Sequence, residues 1–94
     1  MESNIHVSNE VMNTVASIAA TSVPGVKNIV GNTKDMVETN GKKMKASISV
    51  VLNTSEGIEK ICKKIQERVK ESLEDMMDSD VTEVVVRVDN IIEG

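Results

Sequence analysis

Four carboxylates crowd the stretch EDMMDSD, residues 74–80, where a helical pattern gives way to a strand. Clusters of oxygen ligands hold calcium when their spacing is right. With Asp78 as the first ligand, Asp80 falls third. Glu83 then stands where the sharp turn needs glycine, and Asp89, inside a strand, replaces the closing bidentate glutamate. Starting from Asp75 puts Met77 third. A calcium loop is therefore not expected. The acids read as a solvated helix end, or as a surface that meets a partner or a second copy of the chain.

The other reactive types are sparse. His6 is the single histidine and sits between Ile5 and Val7 with no cysteine near it, so it reads as an exposed strand residue rather than a metal ligand. Cys62 shares a helical face with Ile58, Ile65 and Val69 and reads as a small buried hydrophobe, not a reactive thiol. Nothing places a base beside a nucleophile. The glycines of PGVKNIVGN and NGKK form neither a phosphate-binding loop nor a GxxG clamp. No catalytic, cofactor-binding or metal-binding residue is assigned, no cofactor is expected, and the chain reads as a non-enzyme.

The elements that must position these residues follow from periodicity. NIHVS reads as a short strand, and Ser8 as the cap of a helix beginning near Asn9. Val11, Val15 and Ile18 form one apolar row of that helix; Met12, Ala16, Ala19 and Val23 form another, which together predict a broad buried face. Pro24 and Gly25 end it, and VKNIVGNTK reads as a connection. Asn40-Gly41 predicts a type I′ hairpin turn in which Glu38 faces Lys43 and Val37 faces Met44, putting Val37, Met44, Ala46, Ile48, Val50 and Leu52 on one face. Thr54 or Ser55 should cap a long amphipathic helix from Ile58 to Met77, with Ile61, Ile65, Val69 and Leu73 on its apolar side. Val81 to Asp89 closes the chain as a strand, with Val84, Val86 and Val88 on one face and Glu83, Val85, Arg87 and Asp89 on the other.

The expected fold class is α+β: a single small domain over residues 1–94, in the order β-α-β-β-α-β, with two helices packed on one face of a three- to four-stranded mixed sheet. Ninety-four residues without Phe, Tyr or Trp must build the core from Val, Ile, Leu, Met and Ala, and the six methionines read as filler within it. A net charge of −4 and a pI near 4.9 argue against nucleic acid. One cysteine allows no internal disulfide, which suits a reducing cytoplasm. No apolar run is long enough to insert in a bilayer, and MESNIHVSNE lacks the pattern of a signal peptide.

Charge is unevenly distributed. Residues 1–70 carry ten basic and seven acidic side chains; residues 71–94 carry one and eight. Along the second helix the basic residues precede the acidic ones, against the dipole. Such segregation favours association between a basic end and an acidic end. The candidate interaction surface is therefore Lys42, Lys43, Lys45, Lys60, Lys63, Lys64, Arg68, Glu71, Glu74, Asp75 and Asp78, with a homo-oligomer as the expected product.

Two stretches carry a family likeness. VASIAATSVPGVKNIVG (15–31) has an alanine-rich helix ending in Val23-Pro24-Gly25-Val26. IQERVKESLEDMMDSDVTEVVVRVDNI (65–91) has Ile65-Gln66 with Val69, then a Val-rich closing strand. With the opening IHVSNEVM, these resemble the alkaline-shock, or general-stress, envelope proteins of Gram-positive bacteria. Where many members have Tyr-Gly before the second helix, this chain has Asn53 to Gly57. The resemblance implies a non-enzymatic envelope stress response protein, self-associating, held at the cytoplasmic face of the membrane by a small anchor protein. Because some relatives are linked to lipid synthesis, it also leaves open a regulator that docks on a metabolic enzyme.

Overall fold

The computed structural model describes residues 7–31 and 36–93, which form six elements: α1 (Asn9–Thr21), β1 (Val26–Val30), β2 (Val37–Asn40), β3 (Lys43–Leu52), α2 (Ile58–Met76) and β4 (Asp80–Ile91). β3 carries the sheet. β1 and β2 both run antiparallel to it and share one of its edges. β1 covers the C-terminal half of β3, with Val30 opposite Ser49 and Val26 opposite Leu52; β2 covers the N-terminal half. On the other edge β4 lies parallel along the whole length, from Lys43↔Asp80 to Leu52↔Ile91. The result is a four-stranded mixed sheet with both helices on one face, the α+β arrangement expected.

The strand expected around Ile5 falls outside the described residues, apart from Val7 and Ser8, which belong to no strand. The segment read as a connection supplies β1 instead. Its alternation is broken by an irregularity between Val26 and Asn28, which hides the period-two pattern.

The hairpin register differs from the sequence reading by two residues. Asn40 pairs with Lys43, so Gly41 and Lys42 form the turn; Glu38 faces Lys45, and Val37 faces Ala46. Gly41 has φ +64° and no described non-glycine residue has positive φ, so the turn has glycine at its first central position, as in type II′ rather than type I′. A two-residue shift preserves the face of every side chain, and Val37, Met44, Ala46, Ile48, Val50 and Leu52 are all buried.

β4 needs two adjustments to keep its apolar residues inward. Val81 and Ile91 are odd-numbered, whereas Val84, Val86 and Val88 are even. Register irregularities at Thr82 and Asp89 reconcile them, so that Val81 faces Met44, Val84 faces Ala46, Val88 faces Val50 and Ile91 faces Leu52. The Thr82 hydroxyl donates to the Met44 carbonyl at 3.2 Å.

Ser8 caps α1 as expected, its Oγ accepting from the Val11 N–H at 3.2 Å. Met12, Ala16, Ala19 and Val23 are buried with Ile65, Val69 and Leu73 of α2. The buried face of α1 is narrower than its two apolar rows predict, because the second row turns outward: Val15 is half-buried and Val11 and Ile18 are exposed. α2 begins at Gly57 without a side-chain cap; Thr54 Oγ1 accepts from the Glu56 N–H, and Ser55 donates to Glu93. Leu52 and Ile65 are fully buried and Val86 packs against the same cluster. Buried Asn13 joins α1 to the sheet, its Oδ1 accepting from the Val37 N–H at 3.0 Å.

Gly25 is where α1, β1 and α2 converge. Its φ is +101°, its carbonyl accepts from the Asn53 N–H at 2.8 Å, and a Cβ there would stand 2.7 Å from Ile61 Cδ1. At Gly41 a Cβ would meet nothing within 4 Å. Gly41→Ala should cost about 1 kcal/mol from backbone strain, and Gly25→Ala measurably more, because its φ of +101° lies well outside the left-handed well at about +57° that Gly41 occupies. Urea denaturation of the two variants checks the order. Asn13→Leu should cost about 1–3 kcal/mol by leaving the Val37 N–H without its acceptor, and should speed hydrogen exchange at that amide.

Candidate interaction surface

The acidic stretch has an internal task. α2 ends at Met76, and the chain turns through Met77, Asp78 and Ser79 into β4. Glu74 lies on the last turn, half-buried, and its Oε2 accepts from the Val81 N–H at 3.1 Å. This carboxylate joins the helix end to the start of the strand, which outweighs an unfavourable dipole worth a few tenths of a kcal/mol. Asp75 and Asp78 are exposed. The Asp80 N–H donates to the Lys42 carbonyl at 2.9 Å, so the hairpin turn and the acidic corner meet within one chain, and Lys42 borders a cleft with Glu74 and Asp78.

Two polar residues of α2 are tied in the same way. Arg68 Nη1 donates to Ser22 Oγ at 3.0 Å and to the Ser22 carbonyl at 3.4 Å, placing a cation at the C-terminus of α1, where the dipole favours one. Gln66 Nε2 donates to the Val84 carbonyl at 2.9 Å, fixing α2 against β4. Ile65 and Val69 of the same motif are fully buried. The Ile-Gln-x-x-Val signature thus reads as two core contacts and one strand contact.

The eleven charged residues do not form one patch. Lys43 and Lys45 stand on the sheet face away from the helices, in a cross-strand row where Lys45 lies between Glu38 of β2 and Glu83 of β4. Lys60, Lys63 and Lys64 are exposed on α2. Glu71 borders a groove of about 440 Å³ between α1 and α2, lined also by Val15, Ile18, Ala19, Ser22 and Arg68. Periodicity alone did not reveal this groove, because it depends on which of the two apolar rows of α1 the core accepts.

Cys62 is half-buried, and burial pushes its thiol above the ordinary value, so at neutral pH it stays protonated and weakly nucleophilic. Among the described residues no group of three or more His, Cys, Asp or Glu is placed to hold a metal ion, and no helix is long and apolar enough to cross a membrane.

A family model for alkaline shock protein twenty-three, described as having a cell envelope-related function, matches residues 1–93. The chain belongs to that family. No curated protein sequence matches it. Among solved structures it is similar to the MamM CTD. The nickel form of one variant has 20% identity and a TM-score of 0.68 over 86% of this chain and 96% of that one. The manganese form of another has 18% identity and a TM-score of 0.60 over 88% and 99%. At this identity the likeness shows the fold alone. The metals named for those forms belong to those proteins.

Glu74 and Asp75 are adjacent acids with different surroundings, which makes them a test of this site. Glu74→Lys should lower stability by about 2 kcal/mol through loss of a charge-assisted bond to a backbone N–H, whereas Asp75→Lys should stay within about 0.5 kcal/mol of the unmodified chain. Thermal unfolding of the two variants, side by side, checks it.

Proposed function

We propose that this envelope-family protein is a non-enzymatic binding and scaffolding module that associates with copies of itself and is held at the cytoplasmic face of the membrane by a small anchor protein. The observation that carries the reading lies on α1. Ile18 is 64% exposed and Val11 46% exposed, and Ile18 borders the groove between the helices with half-buried Val15 beside it. Scattered apolar residues on a surface are ordinary, but apolar side chains at a groove with a charged rim suit an amphipathic helix laid along it. Arg68 and Glu71 supply charges of both signs at the edge of that groove.

The exposed charges give the module a second kind of contact. Lys42, Lys43, Lys45, Lys60, Lys63 and Lys64 on one side, and Glu71, Asp75 and Asp78 on the other, favour salt-dependent association between copies. Arg68 and Glu74 serve less well in that role, since their polar atoms are engaged inside the chain. Membership of an envelope-related family supports the location.

A pull-down from detergent-solubilised membranes tests the reading. A small membrane-embedded protein should co-purify with the unmodified chain, and Ile18→Glu should reduce its recovery by roughly tenfold or more, since a carboxylate would be buried in the contact. Recovery of a soluble enzyme of lipid synthesis instead would favour the regulatory reading. An anchor retained in full by Ile18→Glu would contradict the assignment of the groove.

A further inference from the structure

The two edges of the sheet are unlike. On one side β1 and β2 share the edge of β3 and are separated by residues 31–36. On the other, β4 is a twelve-residue strand whose only strand partner among the described residues is β3. Proteins normally shorten, interrupt or cover such an edge, because its unpaired N–H and C=O groups invite another strand. Between its irregularities at Thr82 and Asp89, β4 runs without interruption from Glu83 to Val88.

That stretch is self-complementary when reversed. On the face away from the helices it presents Glu83, Val85 and Arg87, all exposed, with Val85 at 45%. We infer that two copies of the chain pair antiparallel through the outer edges of β4, about a two-fold axis at Val85. Val85 then faces Val85 of the other copy, Glu83 faces its Arg87, and Val84 faces its Val86. An isologous contact requires this kind of self-match, in which each residue of a pair appears once on each copy. Opposite charges directly across antiparallel strands stabilise the pairing, and like charges oppose it.

The rest of the sheet agrees with this register. Glu38 of β2, Lys45 of β3 and Glu83 of β4 already form a row of alternating charge that ends on an acid at the outer edge of β4, which has no further strand partner among the described residues. Arg87 of a second copy continues the alternation. Two rows along on the same face, Arg87 stands beside Ser49, with no acid opposite it on β3, and Glu83 of the second copy would supply one. On the helix side, the Val84 carbonyl accepts from Gln66 and keeps a second lone pair for an N–H of the other copy's strand. Pairing of this kind joins two sheets into one through backbone hydrogen bonds, with the side chains setting register.

The inference rests on the self-association proposed above, and the test separates the two. Sedimentation of the full chain across a concentration series should show a monomer–dimer equilibrium. Arg87→Glu and Glu83→Arg, each alone, place like charges opposite one another twice, and should raise the dissociation constant by roughly tenfold or more. An equimolar mixture of the two variants should restore the dimer, because each chain then meets opposite charges at both positions. Circular dichroism should show all three proteins folded alike. An unmodified chain that stays monomeric overturns both the self-association and this inference. A chain that dimerises while both variants dimerise equally well, or whose mixture shows no recovery, overturns the β4 pairing and leaves self-association through another surface.

Discussion

The double pairing of β3 is the constraint on which the rest of the molecule depends. It is bonded on one edge to β1 and β2 and on the other to β4, so its backbone groups are satisfied within the sheet. Over most of its length its side chains separate by face, Met44, Ala46, Ile48 and Val50 toward the helices and Lys43, Lys45 and Ser47 away, and at its end Val51 and Leu52 are both buried. Because the chain has no aromatic residue, no large ring is available to fill this core. Small and medium residues must instead be aligned closely, which is what Ala16 and Ala20 of α1 and the two irregularities of β4 accomplish.

Polar side chains then lock the layers together. Asn13 holds α1 to β2, Arg68 holds α2 to the end of α1, Gln66 holds α2 to β4, and Glu74 holds the end of α2 to the start of β4. Each bond contributes modestly, but each also fixes the relative position of two elements that apolar contacts alone would let slide. This gives the acidic end of α2 a physical reason. One carboxylate there is structural, and its neighbours Asp75 and Asp78 are left to the solvent or to a partner.

Much of the fold was legible in the sequence because its period signals are strong. The span of α2, the cap at Ser8, the inward Val84, Val86 and Val88, and the faces of β3 were all readable. The hairpin register was not, since Asn-Gly and Gly-Lys turns both keep the same faces inward, and only backbone conformation distinguishes them. β1 escaped because an irregularity near Val26 disrupts its alternation and its partners, Ser49 to Leu52, lie far along the chain. The exposure of Ile18 and the engagement of Glu74 and Arg68 depend on how α1, α2 and β4 meet. A helical period describes one element at a time and carries no information about such meetings. The family signature fared better, because Gly25 and Gln66 belong to motifs whose physical reasons are visible once Ile61 and Val84 are seen beside them.

The two available surfaces are chemically distinct. The groove between the helices is apolar with a charged rim, and the β4 edge is a strand carrying Glu83 and Arg87, so the proposed partner and the proposed second copy would meet different surfaces. The most direct measurement is oxidative cross-linking of Val85→Cys in a Cys62→Ser background, with Ser47→Cys as control. Ser47 lies beside Val85 on the neighbouring strand. Pairing at the β4 edge brings the two copies of residue 85 to within about 5.5 Å at Cβ, and leaves the two copies of residue 47 three strand spacings, or about 14 Å, apart. Disulfides form only within about 7 Å between Cα atoms. The account predicts a disulfide-linked dimer at position 85 and none at position 47; equal cross-linking at both positions, or none at position 85, would contradict it.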